Sequence, residues 1–248
     1  MVWTTLTRWY HQLGSPRYFY RFSSWLLPWL WPLALLTTMV GLVWGLAFAP
    51  EDYQQGNSYR IIFIHVPAAS GALLGYISMG VAGVVGLVWR LKMAEVMIQA
   101  IAPFGAVLAA LALITGAIWG KPTWGTYWVW DARLTSMLIM FFLYLGVIAL
   151  IHAIPDPRQA GRAAGLLSVV GVINVVVVKY SVEWWQSLHQ GQTIRMVGES
   201  TMPAEMLAPL LISMLGIYLL FAVSVLWRAR AEVLWRERHS NWVQELHQ

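Results

Sequence analysis

Long stretches without a charged residue limit the fold of this chain more than any other feature. Five of them cover residues 22–50, 61–89, 96–120, 134–155 and 206–227. A helix that crosses the hydrocarbon core of a bilayer needs about 20 mostly apolar residues, so each stretch is long enough to cross. A sixth stretch, 163–178, has only 16 residues. It crosses if it continues to about Val182, with the Lys179 side chain reaching the interface.

The low content of charged residues supports the same fold. Charged residues make up 11% of the 248 residues, whereas soluble domains carry about 25%, so they are too few to cover a water-facing surface. The mean hydropathy is +0.61. We therefore predict an all-α integral membrane protein. It forms a single membrane domain over residues 1–248, with six transmembrane helices at approximately 22–49, 61–89, 96–119, 132–154, 163–182 and 205–227.

The Lys and Arg residues between the stretches predict the orientation. Six crossings place both termini on one side of the membrane. That side holds Arg8, Arg17, Arg21, Arg90, Lys92, Arg158, Arg162, Arg228, Arg230, Arg236 and Arg238, and the other holds Arg60, Lys121, Arg133, Lys179 and Arg195. Because cytoplasmic connections are enriched in Lys and Arg, we expect both termini in the cytoplasm. The connections at 119–131 and 180–203 then face the periplasm of a bacterium.

Composition also limits the possible ligands and partners. The chain has no Cys, which excludes disulfides, Cys-ligated zinc, iron–sulfur clusters and thiolate-bound haem. A metal or cofactor ligand must therefore be His, Met, Tyr or a carboxylate. The net charge is +5, but the cations lie in short connections where they set topology. We expect the lipid bilayer, and no nucleic acid, as a partner.

Aromatic residues concentrate between the third and fourth predicted spans. Four Trp and one Tyr fall in one short segment: Trp119, Trp124, Tyr127, Trp128 and Trp130. Gly120, Pro122 and Gly125 predict turns here rather than a continuous helix. An amphipathic helix from Thr126 onward would pair Trp124 with Trp128 and Tyr127 with Trp130. Flat apolar faces suit a large planar ligand, and an ordinary aromatic belt at the interface remains an equal alternative.

Two of the six histidines are candidate metal ligands. His65 lies near the outer end of the second span, and His189 lies in the fifth connection. Chain crossing places both on the side of the Trp-rich segment. An ionisable group in an apolar span indicates function by default, and neutral imidazole is a standard axial ligand of haem iron. The pair therefore predicts bis-His ligation of haem.

Charged residues on the same side are candidates for supporting roles. Haem propionates would need cations, and the outward-facing ones are Arg60, Lys121, Arg133 and Arg195. Nothing in the sequence chooses among these four. Asp131 precedes the fourth span and predicts its helix N-cap. That position is compatible with a second contact to a Trp N–H or to Arg133.

The segment Trp124-Gly-Thr-Tyr127-Trp128-Val-Trp130-Asp131-Ala-Arg133-Leu-Thr resembles the WWD signature of the haem-handling superfamily of cytochrome c biogenesis. Within it, size and six-span layout resemble the cytochrome c maturation protein C family, the bacterial haem exporter C. The segments 64–69 and 180–191, which contain His65 and His189, are similar to the family's flanking segments. Tyr127 departs from the motif, which commonly has Trp there, but a flat aromatic face is kept.

The resemblance implies a function and a site. Such proteins hold b-type, non-covalent haem in transit at the periplasmic face of the inner membrane. His65 and His189 match the axial ligands, and Trp119, Trp124, Tyr127, Trp128, Trp130 and Asp131 match the haem platform. The family works with an ABC-type ATPase, a second membrane subunit and a small single-span helper, and it loads haem onto a periplasmic haem chaperone, maturation protein E. Any ATPase activity would reside in a partner, so the chain itself is not expected to be an enzyme.

Three other functions are open alternatives. A haem lyase or cytochrome c synthase of the same superfamily is longer and has extra His residues. A b-type cytochrome subunit for electron transfer would usually bury its His pair inside the bundle. A haem-free permease would carry no pigment. Because His189 lies in a loop, we hypothesise that His189 is released during haem transfer while His65 stays bound.

Overall fold

The computed structural model describes residues 14–185, 187–189 and 202–247, and its main elements are six long helices. Helix α1 (Pro16–Val43) continues as a π-helix (Trp44–Phe48), and a 3₁₀ helix (Asn57–Ile61) leads into α2 (Ile62–Trp89). The others are α3 (Lys92–Trp124), α4 (Ala132–Ala153), α5 (Pro157–Trp184) and α6 (Ala204–Arg236), followed by the short α7 (Asn241–Gln244) and a 3₁₀ turn (Glu245–His247).

All six long helices of the described chain are long and apolar enough to cross a membrane. The predicted all-α fold with six such helices is confirmed. The fifth, shortest in charge-free sequence, is a full-length helix of 28 residues. Asp156 caps its N-terminus by accepting a hydrogen bond from Gln159 N at 2.7 Å, and Pro157 occupies its first turn, where a missing N–H costs nothing.

The end of α3 differs from the sequence prediction. We expected turns from Gly120, but the helix continues to Trp124 and ends where Gly125 adopts a left-handed conformation with φ of 80°. Pro122 is tolerated because it lies in the last turn, where it removes a single backbone hydrogen bond. Thr123 Oγ1 donates to Trp119 O at 2.8 Å, which gives that carbonyl an additional partner.

The amphipathic helix considered from Thr126 onward does not form. Residues 126–131 form a bend and then an extended segment that leads into α4. Within it, the Thr126 hydroxyl lies 3.2 Å from Trp128 O and 3.4 Å from Trp128 N. These local contacts satisfy backbone groups that a helix would otherwise pair. Trp124 and Trp128 therefore do not share a helical face.

Helices α2, α3, α4 and α5 pack around one another, α6 packs on α2 and α3, and α1 packs mainly on α6. Two buried tyrosines lie at the centre. Tyr144 OH donates to Ala72 O at 2.6 Å and Tyr76 OH donates to Leu167 O at 3.2 Å. Their rings meet edge to face at 5.1 Å. Each hydroxyl thus joins two helices in the buried interior of the bundle.

Small residues allow α2 and α5 to approach closely. A Cβ on Gly83 would lie 2.6 Å from Gly165 O, and one on Gly80 would overlap Val172. Only glycine fits such contacts without a shift of the backbone. Gly80 and Gly83 therefore form a helix-packing motif on the face of α2 that contacts α5. Close packing of α2 on α5 fixes the frame in which the outer ends of these helices hold functional side chains.

Candidate functional site

A cavity of about 240 Å³ opens between α2, α3, α4 and α5 at the end of the bundle that carries the Trp-rich segment. His65, Arg133, Lys179 and His189 line it. The rest of its wall consists of small or apolar residues and Ser70. The two histidines chosen from the sequence, which are separated by more than 120 positions, therefore line one space. An apolar cavity with a few convergent polar groups is the usual form of a ligand site.

Residues of α3 surround His65, which lies in the first turn of α2. His65 Nδ1 is 3.1 Å from Thr115 Oγ1. The ring of Trp119 meets the imidazole edge to face, with centroids 5.7 Å apart and planes at 76°. Trp119 is held in turn by Gln55 in the first connection, whose Oε1 accepts from Trp119 Nε1 at 2.7 Å.

Asp131 and Ser187 surround His189. His189 Nδ1 lies 2.9 Å from Asp131 Oδ2, and the same oxygen accepts from Ser187 Oγ at 2.5 Å. The backbone N–H of His189 donates to Ser187 Oγ at 3.1 Å. The ring of Trp124 meets the imidazole at 4.7 Å. The loop histidine is thus fixed by two side chains and one aromatic ring.

Asp131 performs two tasks at once. Its Oδ1 accepts from Leu134 N at 2.8 Å, so the predicted N-cap of the fourth span is confirmed. Its other oxygen contacts His189 rather than the Trp N–H or the Arg133 guanidinium that we had considered. A carboxylate that accepts hydrogen bonds on both oxygens joins the start of α4 to the loop after α5.

The protonation of this pair follows from its surroundings. Burial lowers the pKa of His189, although the Asp131 carboxylate acts in the opposite direction. Burial alone would raise the pKa of Asp131, but hydrogen bonds from Ser187, Leu134 N and His189 outweigh it and lower that pKa. At neutral pH Asp131 is therefore a carboxylate and His189 a neutral imidazole. Its Nδ1–H faces the carboxylate, so its Nε2 keeps a lone pair.

The aromatic residues of the segment 119–131 divide into two groups. Trp119 and Trp124 each pack on one histidine, as described above. Trp128 and Trp130 meet edge to face at 5.5 Å, and Trp128 Nε1 is buried with no hydrogen-bond partner in the described part of the chain. Tyr127 and Trp130 are exposed, at 59% and 77%. The segment thus contributes an inner pair, Trp119 and Trp124, that packs on the histidines, and an outer aromatic surface that contains Tyr127 and Trp130.

The four propionate candidates are in different positions. Only Arg133 lines the cavity, and its guanidinium forms no hydrogen bond or salt bridge with any residue in the described ranges. Arg60 donates to Leu46 O at 3.0 Å and to Ala49 O at 2.7 Å, so it holds the end of the first helix. Lys121 donates to Gly125 O at 3.0 Å and lies over the Tyr127 ring. Arg195 lies outside the described residues.

Sequence reasoning missed four residues of this site: Gln55, Thr115, Lys179 and Ser187. Thr115 could have been found because it is a polar residue in an apolar span. Ser187 could have been found because it lies two positions before His189. Lys179 was interpreted only as an interfacial side chain, but it lines the cavity. Nothing in the sequence points to Gln55, because its partner Trp119 is 64 positions away.

Comparison with known proteins gives a consistent result. The family model described as "Heme exporter protein C" matches residues 9–244. Heme exporter protein C of Escherichia coli (strain K12) is 52% identical over 99% of this chain and 97% of its own length. The protein of the same name from Haemophilus influenzae is 46% identical over 97% and 98%, and that from Bradyrhizobium diazoefficiens is 44% identical over 92% and 86%. The chain belongs to the heme exporter protein C family.

Proposed function

We propose that this protein is a haem-handling membrane subunit of cytochrome c maturation. It holds haem at the periplasmic face of the inner membrane and loads it onto the periplasmic haem chaperone, maturation protein E. The observation that carries the proposal is that His65 and His189 line one cavity while each contacts its polar partner through Nδ1. Nε2 is the atom left for a metal on both rings. Family membership and the names of the relatives support the same cargo.

The chemistry of the donors favours haem over a bare metal ion. No group of three or more His, Asp or Glu lies together among the described residues. Structural and catalytic metal ions usually take three or four protein ligands. Two imidazoles instead suit a metal whose other positions are filled by a macrocycle, as in haem iron. The apolar wall of the cavity suits the flat faces of such a ring, and Trp119 and Trp124 support the two imidazoles from outside that wall.

Individual side chains then have distinct tasks. His65 and His189 are the axial ligands, and Asp131 orients His189, as carboxylates commonly do for metal-bound imidazoles. Arg133, which shares the cavity wall with Lys179, binds the propionates through charge-assisted hydrogen bonds. Because the chain has no Cys, it cannot attach haem through thioether bonds. We propose that binding is non-covalent, which suits transfer to a chaperone.

The distribution of charge supports an orientation in the membrane, and the family supports a set of partner subunits. The excess of Lys and Arg at one end of the bundle supports cytoplasmic termini, and with them a cavity on the periplasmic side. We propose that the chain works in an ABC-type complex with an ATPase subunit, a second membrane subunit and a small single-span helper. ATP hydrolysis in that ATPase, rather than in this chain, drives release of the loaded chaperone.

An absorption spectrum of the detergent-purified protein tests haem binding. We expect a low-spin haem spectrum for the wild type and its loss in the His65→Ala/His189→Ala double variant. His152→Ala is a matched control, because His152 bonds to Ile148 O of its own helix at 2.8 Å and is absent from the cavity wall. Wild-type protein that folds but stays colourless after haem is added would favour the haem-free permease.

A second measurement separates haem transfer from electron transfer. The haem-loaded protein is mixed with the apo-chaperone and the ATPase complex in liposomes, and haem on the chaperone is followed with time. We expect haem to leave this protein and appear on the chaperone. Haem that stays bound and is instead reduced by a quinol would favour the b-type cytochrome alternative.

A further inference from the structure

Thr115 contacts His65 from inside helix α3, and its hydroxyl hydrogen is already committed. The residue is buried, with 7% of its surface exposed. Its Oγ1 lies 2.6 Å from Leu111 O, and a carbonyl oxygen can only accept, so Thr115 donates there. The same Oγ1 lies 3.1 Å from His65 Nδ1. With the hydroxyl hydrogen directed at Leu111 O, we assign the Thr115 oxygen as the acceptor in that contact and His65 Nδ1 as the donor.

This assignment fixes the tautomer of His65. A neutral imidazole carries one N–H, and the other nitrogen keeps a lone pair. With the hydrogen on Nδ1, Nε2 is left free to bind a metal. In the opposite tautomer Nε2 would carry the hydrogen and could not ligate, while Nδ1 would face an oxygen with no hydrogen to offer. The unfavourable contact between two acceptors disfavours that state.

Two neighbours of Thr115 restrain the same ring. A Cβ on Gly116 would lie 3.0 Å from His65 Cε1, so any larger residue would press on the imidazole. Trp119, one turn further along α3, meets the ring edge to face. Trp119 lies four positions after Thr115 and three after Gly116, spacings that bring residues together on a helix surface. One short stretch of α3 therefore provides the hydrogen-bond acceptor, the space and the aromatic contact for His65.

We infer that Thr115 is a positioning residue for haem binding, which holds His65 in the tautomer that leaves Nε2 free. The role of Thr115 in haem binding rests on the proposed function. The tautomer of His65 does not, because it is a property of the haem-free protein. It also distinguishes the two ligands. His65 has a neutral hydroxyl partner in a helix, and His189 has a carboxylate partner in a loop. Removal of either partner therefore perturbs one ligand only.

Nitrogen-15 NMR of the haem-free, histidine-labelled protein in detergent tests the tautomer directly. His65→Gln identifies the His65 signals by difference. We expect a protonated Nδ1 and an unprotonated Nε2 in the wild type and in Thr115→Ser, and a mixture of tautomers in Thr115→Val. A wild-type signal with the hydrogen on Nε2, or an unchanged pattern in Thr115→Val, would overturn the inference.

Haem affinity tests the consequence. When a metal-bound histidine loses the residue that hydrogen-bonds to its other ring nitrogen, metal affinity typically falls by about 10- to 100-fold. For a neutral partner we expect about tenfold faster loss of haem to an acceptor protein in Thr115→Val, and near wild-type loss in Thr115→Ser. Thr38→Val is the matched control. Thr38 is also 7% exposed and donates to the Ala34 carbonyl at 2.7 Å, but it lies in α1.

The outcomes separate the inference from the proposed function. If haem binding requires both histidines but Thr115→Val holds haem as well as the wild type does, the proposed function stands and the role of Thr115 is rejected. Equal haem loss in Thr38→Val and Thr115→Val also rejects it, since a general effect on packing would then explain both. Absence of haem binding by the wild type rejects the proposed function, and with it any role of Thr115 in haem binding.

Discussion

The Asp131 carboxylate joins helix α4 to His189: Oδ1 accepts from Leu134 N at 2.8 Å, and Oδ2 lies 2.9 Å from His189 Nδ1. One side chain thus starts a membrane-spanning helix and orients a histidine, the proposed haem ligand, that comes from a different part of the chain. The two tasks need two acceptor oxygens. Substitutions that remove one or both therefore separate stability from haem binding.

Asp131→Asn tests this division. Asn has one acceptor oxygen, so it can cap α4 or accept from His189, but not both. We expect haem affinity to fall by about 10- to 100-fold, while the unfolding temperature stays close to that of the wild type. Asp131→Ala removes both acceptors and additionally loses about 1 kcal/mol from the missing cap. Haem titration and thermal unfolding measure the two effects, and equal haem affinity in Asp131→Asn and the wild type would contradict the prediction.

The two histidines are predicted to differ when they are replaced singly. His65 belongs to a helix, whereas His189 lies in a connection and can move with it. We expect His65→Ala to lose most bound haem, and His189→Ala to keep more haem but to fail in transfer to the chaperone. Haem occupancy and chaperone loading are measured separately. Identical behaviour of the two variants in both assays would reject the hypothesis that His189 is the ligand released on transfer.

Arg133 and Arg60 provide a contrast between a cavity cation and a structural cation. Arg133 lines the cavity, whereas Arg60 donates to two carbonyls at the end of the first helix. A hydrogen bond to a charged group contributes about 1.5–3 kcal/mol, so Arg133→Gln should weaken haem binding by roughly 10- to 100-fold. Arg60→Gln should lower thermal stability with little effect on haem. Haem titration of both variants checks this, and the reverse pattern would make Arg60 the propionate partner.

The buried tyrosines predict a modest effect on stability. Tyr144 OH donates to Ala72 O, and hydrogen bonds between membrane helices contribute about 0.6 kcal/mol on average and at most about 1.7. Tyr144→Phe should therefore cost about 1 kcal/mol in reversible unfolding in detergent, with haem binding retained. Leu211→Ala, at a side chain that is 47% exposed on α6, controls for a general effect of substitution in a helix. A cost above about 3 kcal/mol would indicate a role beyond this single bond.

Much of the fold could be predicted because the bilayer imposes a simple rule. Charged groups are costly in hydrocarbon, so charge-free stretches mark helices, and counting crossings puts His65 and His189 at one end. The path of residues 120–131 could not be predicted. Pro122 indicates a break, yet it falls in a last turn where the break costs little. The contacts of Thr115 and Asp131 span 50 and 58 positions, and residue spacing along the chain does not reveal such pairs.

The orientation in the membrane can be tested with single cysteines, because the chain has none of its own. Tyr127 is 59% exposed at the end of the bundle near the cavity, and Arg158 is exposed at the opposite end. The excess of Lys and Arg predicts that Arg158 faces the cytoplasm. A membrane-impermeant maleimide added to intact spheroplasts should therefore label Tyr127→Cys but not Arg158→Cys. After lysis both should react, which controls for access to the thiol. If only Arg158→Cys is labelled in intact spheroplasts, the topology is the opposite of the predicted one. The two histidines would then lie on the cytoplasmic side, where a periplasmic chaperone could not reach them.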